Sequence, residues 1–228
     1  MSKTILIAGF GPGISTGVAE KFGSQGYAVA LVARSSERLN AGVQALEAKG
    51  VRAAGFTADL SETKGLPALV QSVRDKLGPI GVVHWNAYGS GGGDLLTGDP
   101  AALRAPLDIA TTSLVAVVQA ALPDLRAAKG AVLVTNGGFG LLDAAVDTAA
   151  VQYQAMGLAL ANAAKHKLVR LLSERLKADG IYVGEVLVLG SVKGTPWDQG
   201  NATLEGSTIG AKFWEIFSDR RELSVKVG

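Results

Sequence analysis

The chain has 228 residues, 48% hydrophobic and 18% charged, with net charge +2 and no basic run, which argues against a nucleic-acid partner. It holds no cysteine and only two histidines, His84 and His166, which excludes disulfides and thiolate chemistry and leaves little for a metal site. No signal peptide is read at its start and no apolar stretch is read as reaching the roughly 18 residues that span a bilayer, so a cytoplasmic protein with no membrane partner is expected.

Residues 4–8 are an apolar run of strand type that feeds the turn Gly9-Phe10-Gly11-Pro12-Gly13. Ile14, Val18 and Phe22 then recur at a spacing of four, on one face of a helix. A second apolar run, residues 28–33, ends on Arg34. Strand, glycine turn, helix and strand form the unit that lays a pyrophosphate against a helix N-terminus, where free amides and the helix dipole meet the charge. Gly9, Gly11, Gly13, Ile14 and Ser15 are therefore candidate dinucleotide contacts. The spacing is G-x-x-x-G from Gly9 to Gly13, and not G-x-G-x-x-G, since the last position counted from Gly11 is Thr16.

Ser35 offers an N-cap for a helix through Leu39, Val43 and Leu46 that stops at Gly50. Strands are expected over residues 51–57, 80–85, 131–135, 181–189 and 223–227, and a glycine-rich loop over residues 89–98. Helices are expected over residues 66–77 and 101–125, and one long helix over residues 151–178. A short amphipathic helix carries Phe213, Trp214 and Phe217. Strands alternating with helices imply a Rossmann-type doubly wound, mainly parallel seven-stranded sheet with helices on both faces. A single domain over residues 1–228 is expected, with a substrate lid at about residues 193–218.

The glycine turn, Ala58-Asp59-Leu60 after the third strand, Asn86-Ala87 after the fourth and Thr195-Pro196 after the sixth occur in an order that resembles the short-chain dehydrogenases/reductases. The resemblance spans nearly the whole chain. It implies that Asp59, beside Leu60, accepts from the adenine amino group and that Asn86-Ala87 passes along the adenosine ribose. It also implies that the Val192 backbone meets the nicotinamide carboxamide and that Thr195 holds the same end. Where NAD-binding members place a carboxylate after the second strand, this chain has Arg34 followed by Ser35 and Ser36. A guanidinium there pairs with a 2′-phosphate, which makes NADP(H) the expected cofactor. The alternative is a solvated surface arginine.

The family's mechanism uses a Tyr-x-x-x-Lys pair, a serine and an asparagine. None of the four tyrosines here is followed by lysine at the fourth position. Counting back from Gly180-Ile181 puts Leu158 at the tyrosine position and Asn162 at the lysine position; Gly137 stands for the serine and Ala110 for the asparagine. Three substitutes are weighed. Lys165 shares a helical face with Asn162 and has the reach for ribose hydroxyls, or is part of a solvated Lys165-His166-Lys167 face. Tyr153 is a proton donor near the helix start. Asn136 is a carbonyl-polarising amide, or a strand cap. Two functions stay open: an oxidoreductase on a small carbonyl or alcohol substrate, favoured if the lid aromatics line a pocket, or a catalytically silent dinucleotide-binding protein. The low charge and the apolar run over residues 107–125 suggest a homodimer or homotetramer.

Overall fold

The computed structural model describes residues 3–228; Met1 and Ser2, at the start of the expected domain, lie outside them. The apolar runs form seven strands: β1 (Thr4–Ala8), β2 (Ala28–Ala33), β3 (Ala53–Thr57), β4 (Ile80–Trp85), β5 (Ala131–Gly137), β6 (Tyr182–Val188) and β7 (Ser224–Val227). They pair in parallel in the order β3-β2-β1-β4-β5-β6-β7. The helices are α1 (Ile14–Ser24), α2 (Ser36–Glu47), α3 (Leu66–Leu77), α4 (Arg104–Ala110), α5 (Thr112–Ala128), α6 (Ala144–Gln152), α7 (Met156–Leu176) and α8 (Gly206–Asp219).

The strands are apolar on both faces because both faces are covered. Ile5 and Ile7 join Val18 and Phe22 of α1, Leu39 of α2 and Phe213 of α8 in one core. Leu6 and Ala8 point the other way, toward Val70 of α3, Val117 of α5 and Val169 of α7. Burying each of the larger of these side chains, the valines, leucines, isoleucines and phenylalanines, contributes roughly 1.5–3 kcal/mol.

Three expectations change. The helix expected over residues 151–178 is two helices, α6 and α7, separated at Gln154, whose φ is 49°. The break follows from tertiary contact: the glycine-rich loop caps α7, with Gly93 and Gly92 carbonyls accepting from the Met156 and Gly157 amides at 3.3 and 2.7 Å. The lid aromatics are core. Phe213 is fully buried, and Trp214 packs edge-on and Phe217 at a tilt against Phe22 of α1, with ring centroids 5.1 and 5.4 Å away, so they belong to the core and not to a pocket wall. The helix α8 reaches α1 through glycines, since a Cβ at Gly17 would lie 2.0 Å from the Gly206 carbonyl oxygen. Lastly, residues 100–128 are long and apolar enough to cross a membrane by length and composition, against the expectation that no stretch is. That stretch is interrupted at Thr111, and Leu114, Val117, Ala121 and Leu125 pack into the core beneath the sheet. Core packing accounts for much of the apolar run on which a subunit interface was expected.

Candidate functional site

The order of strands reverses between β1 and β4, and the crevice outside their carboxyl ends is where ligands of such sheets bind. Gly9 leaves β1 at φ 87°, and a Cβ on it would lie 2.7 Å from both the nitrogen and the Cα of Ala87. The Asn86 amide donates to the Gly9 carbonyl at 3.1 Å. Gly13, at φ 84°, is pressed against the opposite wall: a Cβ there would lie 2.7 Å from Thr195 Cγ2 and 3.3 Å from Val192 Cγ1. The Thr195 hydroxyl donates back to the Val192 carbonyl at 2.7 Å. Six of the expected cofactor contacts thus meet around one turn.

Ser15 braces that turn. It is buried, accepts from the Gly11 amide at 2.8 Å and donates to the Gly11 carbonyl at 2.9 Å. Ile14 opens α1, which has neither a side-chain cap nor an acidic residue in its first turn. Its amides and positive pole therefore face the crevice without competition, a fit for a pyrophosphate.

Arg34 stands exposed at the end of β2, and Ser35 caps α2 by accepting from the Arg38 amide at 3.2 Å. Asp59 accepts from the Ser61 amide and hydroxyl at 2.9 and 2.8 Å. Those bonds, with a smaller contribution from Arg34, hold its carboxyl below the usual range, so it is an acceptor at neutral pH. Leu60 beside it is buried. Sequence reasoning missed Arg38: a Cβ at Gly11 would lie 3.9 Å from its Nη1. The signal was present in the Ser35 cap, which fixes Arg38 in the first turn of α2 beside the glycine turn. A cavity of about 270 Å³ lies there, lined by Phe10, Gly11, Pro12 and Arg38 among others. A second, of about 460 Å³, sits at the amino ends of the strands near Lys3, Tyr27 and Arg52, away from the crevice.

The three candidate catalytic groups are not brought to one point. Asn136 is buried, and its amide nitrogen donates to the Asn162 carbonyl at 3.1 Å and to Glu185 Oε2 at 3.2 Å. Its side-chain oxygen accepts from the Gly137 amide at 3.0 Å. All its polar capacity toward a carbonyl is thereby committed to the fold. Lys165 is buried and not on a solvated face; Glu185 is its charged neighbour, and no ion pair or hydrogen bond to its ammonium occurs among the described residues. Burial, only partly offset by Glu185, lowers its pKa to about 8. Glu185 itself is fully buried on β6 and closely hydrogen-bonded to His166 Nδ1. Tyr153 is 76% exposed at the end of α6, with its ring 6.5 Å from that of Phe139.

Gly137 faces Asn162: a Cβ on the glycine would lie 2.7 Å from Asn162 Nδ2. Ala110, at the end of α4, is buried. The network of Glu185, His166, Asn136 and Asn162 was not read from the sequence, because its members come from β5, β6 and α7, and only the fold joins them.

The model of the short chain dehydrogenases matches residues 3–203. A 3-dehydrosphinganine reductase of Arabidopsis thaliana is 30% identical over 129 residues, 56% of this chain and 38% of that protein. Two further curated relatives are matched over 35% and 26% of their own lengths, so the similarity spans well under half of these proteins. Among solved structures, L-sorbose reductase from Gluconobacter frateurii, complexed with NADPH and L-sorbose, superposes with a TM-score of 0.85 at 20% identity, over 99% of this chain and 95% of that one. A short chain oxidoreductase from Pseudomonas aeruginosa, described as containing an atypical catalytic center, superposes with a TM-score of 0.84 at 19% identity, over 99% and 95%. The extent of the family match, together with the glycine turn and the strand order, places this chain in the short-chain dehydrogenase family.

Proposed function

We propose that the chain is a cytoplasmic, NADP(H)-dependent oxidoreductase that acts on a carbonyl or alcohol substrate and assembles as a homodimer or homotetramer. One observation carries the cofactor reading: Gly9 and Gly13 form a turn with no room for a Cβ, at an uncapped helix N-terminus, with the Arg38 guanidinium beside it and Arg34 exposed at the end of β2. When bound, the cofactor supplies the hydride. The chain's residues bind and orient it. The α1 amides take the pyrophosphate, Asp59 takes the adenine edge, and Arg34 with Arg38 takes a 2′-phosphate. Val192 and Thr195 flank the nicotinamide end, and the loop over residues 193–205 serves as the lid.

The non-standard catalytic groups belong to the same proposal. Leu158, Asn162, Gly137 and Ala110 offer no ionisable group, Asn136 is committed, and Lys165 is buried with Glu185 as its charged neighbour. Those commitments also favour the second reading, a silent dinucleotide-binding protein.

Titration of NADPH and NADH against the native chain and Arg34→Ala tests the cofactor. NADPH should bind the native chain more tightly by about 1.5–3 kcal/mol, the strength of a charged hydrogen-bonded pair, and the variant should lose most of that preference. Equal affinities in the native chain would refute it.

A further inference from the structure

The amino ends of β1, β2 and β3 lie at the edge of the sheet opposite the glycine turn, and the cavity of about 460 Å³ that opens there is of small-molecule size. Lys3, Tyr27 and Arg52 line it, with Ala28, Val51 and Leu77 as an apolar wall, and no carboxylate lines it among the described residues. The Lys3 ammonium stands over the Tyr27 ring, 5.9 Å from its centroid. Arg52 donates to the Lys76 carbonyl at 2.7 Å, a single bond that anchors the guanidinium and leaves its other N–H groups to spare. Among the described residues neither cation forms an ion pair, and the Tyr27 hydroxyl has no hydrogen-bond partner. Burial holds that hydroxyl's pKa above its usual value, so it is a donor at neutral pH.

Helices α1, α2 and α3 end at this edge, and the negative poles of their dipoles would oppose an anion if left open. They are closed. The Gly26 and Tyr27 amides donate to the Gly23 and Phe22 carbonyls at 2.9 and 3.2 Å, and the Gly50 and Val51 amides to the Glu47 and Leu46 carbonyls at 2.8 and 3.0 Å. At the end of α3, the Leu77 carbonyl accepts from the Thr4 hydroxyl at 3.0 Å and the Lys76 carbonyl from Arg52. With these carbonyls satisfied, the two full positive charges of Lys3 and Arg52 set the field of the cavity.

We propose that this cavity binds a small phosphate monoester, its head on Lys3, Arg52 and the Tyr27 hydroxyl and its organic group against Val51 and Leu77. A phosphate monoester carries nearly two negative charges at neutral pH and three strong acceptor oxygens, and a guanidinium pairs with it bidentately. Space remains for the organic group, since a Cβ on Gly26 or Gly50 would meet nothing within 4 Å. The site is separate from the cofactor crevice and stands whether or not NADP(H) binds there.

Isothermal titration calorimetry at pH 7.5 with phenyl phosphate tests it. Binding should saturate, and inorganic phosphate and benzoate should each bind about tenfold more weakly, the first for want of the ring and the second for want of the second charge. Arg52→Gln should weaken phenyl phosphate about tenfold and Tyr27→Phe about threefold. Lys3→Glu, at an exposed position with no hydrogen-bond partner to lose, should weaken it about tenfold and keeps the test decidable if Arg52→Gln fails to fold. Arg38→Ala, beside the glycine turn, should change nothing. Absence of saturable binding up to about 10 mM, equal affinity for inorganic phosphate or benzoate, or indifference to Lys3→Glu would each overturn the proposal. Loss of binding in Arg38→Ala would overturn it too, by placing the phosphate at the glycine turn.

Discussion

Replacing Lys165 by methionine should stabilise the protein. The side chain is buried, and burial moves its pKa from the ordinary 10.5 to about 8 despite the attraction of Glu185. That gap corresponds to on the order of 3 kcal/mol against the charged form in the folded state, at about 1.4 kcal/mol per pH unit. The sign follows from proton counts. Below pH 8 the lysine is charged whether folded or unfolded, and the folded state bears the whole penalty. Between 8 and 10.5 the unfolded chain holds a proton that the folded chain has released, so stability rises with pH. Urea unfolding of the native chain and Lys165→Met, each at pH 7.5 and 9.5, measures the effect. The variant should be more stable at pH 7.5 by about 1–3 kcal/mol, less than the full figure because Glu185 loses a counter-charge. The native chain should gain about 2 kcal/mol relative to the variant between the two pH values. Parallel pH profiles for the two proteins would refute the reasoning.

His84 is fully buried, edge-on to Phe213 at 4.7 Å, with Nδ1 unpartnered and its pKa pushed down to about 3 by burial. The unfolded chain takes its proton below about 6.5, so stability should fall from there toward pH 3 by at most about 1.4 kcal/mol per unit, and His84→Met should flatten that slope in acid urea titrations. Rebuilding the family's groups with Gly137→Ser, Leu158→Tyr and Asn162→Lys should raise ketone reduction by a factor of about 10²–10⁴. Gly137→Ser alone should not, because its Cβ would lie 2.7 Å from Asn162 Nδ2, and a triple variant no faster than the native chain would show that the register is misplaced. Sedimentation at micromolar concentration should give a multiple of the 23.3 kDa chain mass, and a monomer would refute the proposed assembly.

The sheet was legible because its signal is local. Strands covered on both faces need uninterrupted apolar runs, and the glycine turn between the first run and the first helix needs residues that tolerate positive φ. Elements determined by distant partners were not legible. The helix periodicity runs through residues 151–178 without a stop, yet the Gly91 carbonyl would lie 2.2 Å from a Cβ at Gly157, so the loop and α7 meet only because both residues yield. The aromatics of α8 suit a pocket wall or a core equally well; Gly17 and Gly206 decide for the core by letting α8 settle onto α1.

Lys165-His166-Lys167 shows the same limit in its sharpest form. Three basic residues in a row on a helix read as a solvated face; Lys167 is indeed exposed, but for Lys165 and His166 the meaning reverses once a carboxylate is buried beneath them. That carboxylate, Glu185, lies about twenty residues away on β6, within a run that otherwise reads as plain strand. Buried, it needs partners, and it takes His166 and Asn136. Asn136 is thereby held against α7 and β6 by its bonds to Asn162 and Glu185. A polar network that stabilises a buried charge has drawn in the one amide at the strand end that had been read as catalytic, and this is why the residues of the crevice and those of the network must be sorted by contact and not by residue type.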